Sequence, residues 1–441
     1  MSLATNAQLR ARLSEVQSKI VELETQLFLL HREEASLRTA LHSVVYPVLT
    51  LPDDTTTEIF QRYLGSPLVL ASVCKQWRAV ALSCPRLWPA IAGPLPAHAR
   101  ILANLLRSRL SRVGSLPFRI DATLSTTGEE FAILTPYLAQ LLNLRLYVSG
   151  PIAFPGEVLL SSLQELALEH RGNFMGQTDW RITLPITPRL RILHLSHMRS
   201  SQISVPWSQL TDLTLYGQTI REALVILQLT ANLVTLHARL QPQADISTGL
   251  VELRHLRTIS TLSFGVLKHI KTPLLSDLEI RNFSTAAVPV VRDLISRSGC
   301  PIHKLLLKSP PHSGSTLWDA QECISFMPTI RALTLSGVPC DPGDWEDMLQ
   351  HIGERDILPE LESLNVTDCR TSISIHSIAA MLAKRAEGPG TIRSFQYTEE
   401  RGNWRDEDAE RALLELRELR GRGVNIEIGW GPQWYRNLAV L

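Results

Sequence analysis

Between Leu9 and Val44 the apolar residues fall at alternating steps of four and three. Leu13, Ile20, Leu27 and Leu41 take position a of a heptad, and Leu9, Val16, Leu23, Leu30, Leu37 and Val44 take position d. Glu34 is the one charged residue in the series, and neither glycine nor proline interrupts it. A strict seven-residue repeat of this length predicts a coiled-coil helix. The seam either joins two copies of the chain as a parallel homodimer through residues 9–44, or packs the helix along its own following region.

From residue 46 the pattern changes to short helices. Leu51-Pro52-Asp53-Asp54 predicts a helix start, because proline suits the first turn and two carboxylates face the positive end of the helix dipole. Ile59, Phe60 and Leu64 supply an apolar face, and Gly65-Ser66-Pro67 breaks it. A second helical run then places Leu70, Val73, Cys74, Trp77 and Val80 on one stripe up to Pro85. About 40 residues of this kind cannot bury a sufficient core alone, so a partner or the following domain is expected to cover the rest.

After Gly93-Pro94-Leu95-Pro96, residues Ile101, Leu102, Leu105, Leu106 and Leu110 predict a linker helix, and Leu116-Pro117-Phe118-Arg119-Ile120 alternates as a strand does. From there an L-x-x-L-x-L string recurs, beginning at Leu141, Leu163, Leu190, Leu210, Leu275, Ile302, Ile330 and Leu361, with weaker copies at Leu233, Leu256 and Ile392. Successive starts lie 19 apart (Leu256 to Leu275) to 31 apart (Ile330 to Leu361). Helical segments such as 220–229 and 289–296 fall between strings, and 406–420 with 424–428 read as a last helix and strand. The periodic series predicts a solenoid of leucine-rich-repeat type, each unit burying its leucines against its neighbours and adding a strand to one parallel sheet.

Strand alternation then names the outward residues. Glu165, Glu169, His194, Asp212, Tyr216, His237, Asp277, Glu279, Arg281, Lys304 and Lys308, followed by Asn365 and Thr367, are predicted to form a charge-mixed capture surface, acidic early and basic at Lys304 and Lys308. The run Arg405-Asp406-Glu407-Asp408 reads as a solvated cap rather than a site.

Composition narrows the function. Forty-four basic against forty-three acidic residues give a net charge of +1, so no global field favours nucleic acid or an anionic membrane. Six scattered cysteines without C-x-x-C spacing indicate neither disulfides nor zinc, and no cofactor or metal is expected. No apolar run of about 18 residues and no signal peptide is found, which predicts a soluble protein of the cytosol or nucleus. Phosphate-loop, dinucleotide, zincin and nucleophile-elbow motifs are missing, and catalysis is not expected of this chain.

The order Leu51-Pro52-x-Asp54, Ile59-Phe60, Val73-Cys74-x-x-Trp77 and Pro85-x-Leu87-Trp88, with the lead-in Tyr46-Pro47-Val48-Leu49-Thr50, resembles the F-box of F-box-like proteins abundant in fungi. Asp54 stands where that family usually has Glu, and Thr55 where an aliphatic residue is common. The resemblance implies a helical hook that docks on the Skp-type adaptor of a cullin-based ubiquitin ligase, through Leu51, Pro52, Ile59, Phe60, Leu64, Leu70, Val73, Cys74 and Trp77. The expected architecture is an α+β multidomain chain: an N-terminal coiled-coil helix (1–45), a small all-α F-box (46–92), a linker helix (93–114) and a C-terminal α/β leucine-rich-repeat solenoid (115–441). Its expected role is substrate recognition for the ligase, the solenoid holding an unknown protein target. The alternative is an interaction scaffold without a ligase role.

Overall fold

The computed structural model describes residues 3–43, 50–63, 65–91, 99–120, 123–125, 129–148, 154, 159–170, 180–242, 249–310, 316–338, 342–369, 373–386, 392–399 and 409–430. The chain divides into two compact units, Met1–Trp88 and Pro89–Leu441.

The first unit opens with one long helix, α1 (Leu3–Ser43), as the heptads predict. Three short helices follow: α2 (Asp53–Gln61), α3 (Pro67–Val73) and α4 (Lys75–Ser83), then a turn of 3-10 helix at Pro85–Leu87. Pro52 caps α2, its carbonyl accepting the Thr56 N–H at 3.0 Å, with Asp53 and Asp54 in the first turn. The expected second helical run is two helices instead of one. Cys74 adopts an extended conformation (φ −154°, ψ 173°) that ends α3, and its Sγ accepts the Trp77 N–H at 3.4 Å, which starts α4. The expected stripe is therefore split: Leu70 and Val80 are buried, whereas Val73 turns to solvent. A core of Phe60, Leu70, Ala71, Val80 and Ala81 is closed by Trp77 and Leu87. The Phe60 and Trp77 rings meet edge to face at 5.0 Å, and buried Trp88 donates from Nε1 to the Ala81 carbonyl at 2.9 Å.

The second unit runs β1 (Ala90–Ile91), α5 (Ala99–Val113), β2 (Arg119–Ile120), β3 (Thr123–Ser125), α6 (Glu129–Leu134), β4 (Asn143–Val148), β5 (Glu165–His170), β6 (Ile182–Thr183), β7 (Ile192–Ser196), β8 (Ile203–Ser204), β9 (Asp212–Thr219), α7 (Ile220–Leu229), β10 (Thr235–Gln241), β11 (Val251–Glu252), β12 (Thr258–Thr261), β13 (Ile270–Lys271) and β14 (Asp277–Ile280). It continues α8 (Ala287–Ser298), β15 (Lys304–Lys308), α9 (Leu317–Ser325), β16 (Ala332–Ser336), α10 (Pro342–Glu354), β17 (Ser363–Cys369), α11 (Ile375–Ala386), β18 (Ser394–Glu399), α12 (Ala409–Gly421) and β19 (Asn425–Trp430). Thirteen strands form one sheet in the order β19-β18-β17-β16-β15-β14-β12-β10-β9-β7-β5-β4-β3. Every adjacent pair in it is parallel.

The fold is thus mixed α/β, a long N-terminal helix followed by a large parallel sheet. The sheet does not close on itself, as in a solenoid. Its leucines explain the order. Each string starts on a buried residue before the strand and buries its next two in the strand, as with Leu163, Leu166 and Leu168 of β5, while the intervening residues of β5 reach solvent. Fully burying such a side chain contributes about 2 kcal/mol, available only when a neighbouring unit covers it. Two features depart from the expected start of the sheet. Arg119–Ile120 pairs with β1 in a separate two-stranded sheet, and the large sheet opens on β3. Helix α5, expected as a linker, buries Leu102, Ala103, Leu106, Leu110 and Val113 in this unit, whereas Ile101 is exposed. Leu64, Val44, the lead-in 46–49 and the run 405–408 lie outside the described residues.

Candidate protein-binding surfaces

The helical hook of the first unit presents an apolar surface over its closed core. Ile59 on α2 is 50 % exposed, Leu68, Val69 and Val73 on α3 are 47, 51 and 58 % exposed, and Tyr63 lies beyond the end of α2 at 43 %. Among the nine residues expected to meet a partner, Pro52, Ile59 and Val73 are exposed, and Leu51, Cys74 and Trp77 are half-buried. Phe60 and Leu70 are core residues, 1 and 7 % exposed, so they support the surface from below rather than form it. Leu68 and Val69 replace them. Their signal was in the sequence: on a helix of about two turns opened by Pro67, with Ser66 accepting the Leu68 N–H at 3.4 Å, only one side can face the core, and Leu70 and Ala71 take it.

On the second unit the strand registers arrange the outward residues in three rows. Glu165, Asp212, Asp277 and Lys304 share the first, at the start of the strands. His194, His237 and Glu279 share the middle row, which runs Arg145, Ala167, His194, Thr214, His237, Ser260, Glu279, Leu306, Thr334, Asn365, Gln396. Glu169 and Tyr216 lie in the third row at its early end, and Lys308 with Thr367 at its late end. Arg281 follows β14 and pairs with Glu279 at 2.7 Å.

The small side chain of Ala167, between Arg145 and His194, leaves a hollow of about 430 Å³ floored by Leu146, Leu168 and Leu195 and walled by Glu169, His194 and Tyr216. Behind two of its lining residues, Glu165 accepts from Arg145 at 3.1 Å and lies 3.5 Å from His194 Nε2. Burial holds the His194 imidazole below its ordinary pKa, outweighing the nearby Glu165 carboxylate that pulls the other way. The ring is therefore neutral at pH 7, and the hollow carries a compensated Arg–Glu pair rather than a strong field. Across it, the Tyr216 ring packs edge to face on His197 at 5.2 Å, and the Arg239 guanidinium lies 4.9 Å over its face. Arg145, Ala167 and Arg239 were not among the expected residues, although they occupy the same alternating positions as those that were. Lys308, at the other end, lies 3.8 Å from Asp368.

One cluster among the described residues has metal-ligand chemistry, the exposed His351, Glu354 and Asp356. Its Glu354 carboxylate already accepts from Gln350 at 3.0 Å and Lys384 at 3.1 Å, bonds that hold it below its ordinary pKa. No described helix is long and apolar enough to cross a membrane.

The chain is thereby defined as a mixed α/β protein with a small helical hook and an open parallel sheet. No protein-family model matches it, and no curated protein is significantly similar to it.

Proposed function

We propose that the chain is the substrate-recognition subunit of a Skp-cullin-F-box type ubiquitin ligase. In this reading residues 46–92 are an F-box that docks on a Skp-type adaptor, and the sheet of the second unit is a leucine-rich-repeat surface that holds a protein target. The chain itself does no chemistry: ubiquitin transfer belongs to enzymes recruited through the adaptor and cullin.

The observation that carries the reading is the hook's apolar surface. Ile59, Leu68, Val69 and Val73 are about half exposed over a core already filled by Phe60, Leu70, Val80 and Trp77, so they contribute little to the fold. Aliphatic side chains grouped on a small helical unit, beside the F-box-like residue order, are suited to a partner's apolar groove. The three rows of mixed charge and the hollow at Ala167 suit a protein ligand with complementary charges and one anchoring side chain.

Calorimetric titration of the full chain with a Skp-type adaptor tests this. The wild type should bind, and I59K/V73K should lose at least about 2 kcal/mol, roughly thirty-fold, with unchanged circular dichroism because both side chains are exposed. A wild type that does not bind, or a folded variant that binds equally well, refutes the F-box reading. Co-purification of adaptor with cullin supports the ligase role, and adaptor without cullin indicates a scaffold.

A further inference from the structure

Along α1 every side chain described is exposed, including the seam from Leu9 to Leu41, whose members are 43 to 65 % exposed. None of the described following residues covers the seam. A helix of this length reaches about 60 Å, and helices in water draw most of their stability from a packed apolar face. The seam therefore calls for an occupant, and the charges beside it specify which.

We propose that the occupant is a second copy of this chain, with the two α1 helices parallel and in register. In that arrangement each position g faces position e of the following heptad on the other helix. Lys19 of one copy then faces Glu24 of the other, and Glu33 faces Arg38; by symmetry each pair forms twice. Two other facings, Arg12 with Gln17 and Gln26 with His31, bring no like charges together. Paired antiparallel about the helix centre, Arg10 would face Arg38 and Glu24 would face its own copy, so that repulsive contacts outnumber the Lys19–Glu33 attraction.

Two core positions agree. Asn6, one heptad before Leu13, occupies position a, where a matched pair of asparagines specifies an in-register two-stranded coil. Glu34 also meets its copy across the seam. Each Glu34 is held within its own helix by Arg38 at 2.7 Å, so the layer brings its own guanidinium, which has donors for both Glu34 and Glu33. The inference is independent of the hook and of any adaptor.

Sedimentation equilibrium of the full chain provides the test. The wild type should be a dimer at micromolar concentration. E24K sets like charges opposite Lys19 twice and should raise the dimer dissociation constant roughly tenfold. Its effect is intermolecular, because residues three and four positions from Glu24 are Ile20, Val21, Leu27 and Phe28, none charged. K19E/E24K restores the attraction and should return to within about threefold of wild type, the remainder reflecting the lost Lys19–Glu15 pair. A monomeric wild type at tens of micromolar, a trimer, or an E24K dimer of unchanged affinity overturns the proposal. So does a double variant weaker than E24K, the result expected of antiparallel helices.

Discussion

Gly217 lies within β9 at φ +79°, where a side chain is strained, and a Cβ there would fall 2.2 Å from the His197 ring. His197 is itself left-handed at φ 56°, and its N–H donates to the Tyr216 carbonyl at 2.8 Å, so the two residues fix one another beside the hollow. G217A should cost about 2 to 4 kcal/mol in urea unfolding. Faster hydrogen exchange at the His197 amide, which donates to Tyr216, would place the damage at this contact, and a cost below about 0.5 kcal/mol would show that His197 moves aside freely. The alternation that marked His194 and Tyr216 as outward was legible in the sequence. The His197–Gly217 contact was not, because it joins the residue that follows β7 to one in the neighbouring β9, and no local pattern records that register.

Helices here are tied to their neighbours by side chains that reach across one repeat. The clearest case is Arg385 on α11, fully buried: it donates to the carbonyls of Ile352 (2.6 Å), Leu358 (2.7 Å), Ile357 (3.2 Å) and Pro359 (3.4 Å). Ile352 is in the last turn of α10, and the other three carbonyls lie in the connection from α10 to β17, which contains two left-handed residues, Arg355 at 65° and Leu358 at 54°. Burial, then the nearby Arg355, lowers the Arg385 pKa to about 10. The unfolded chain therefore binds more protons between that value and the higher, ordinary guanidinium range, so the group's contribution rises with pH across that window and is a constant cost below it. R385M, similar in length, leaves buried carbonyls unpaired and should destabilise by about 3 kcal/mol in urea titration; an unchanged midpoint would mean the clasp is incidental. At this scale the leucine strings announced strands β4, β5, β7, β9, β10, β12 and β14 to β18, since each string is one strand's buried face. The break at Cys74 escaped notice because the apolar spacing runs through it unbroken, and only the extended backbone there divides α3 from α4.

The thirteen strands of the second unit form a stack in which each pairs only with its neighbours. Such a stack opens from its ends. Hydrogen exchange should accordingly be slowest in the central strands β9 to β15 and fastest in β3 and β19, which each have one open edge. Uniform exchange along the sheet would instead indicate a single cooperative block. The sequence carried the direction of the stack and the identity of its polar rows, but not which short strands fall outside it, as Arg119–Ile120 does, since two residues hold no periodicity. The unbroken register from Asp212 through Asp277 to Lys304 has an evolutionary consequence. Folding is secured by the leucines on one side of each strand, so the rows on the other side are free to drift, and gene duplication within the array would lengthen a row without disturbing the rest. A lineage could exchange one ligand for another by point changes along these rows while inheriting the scaffold intact.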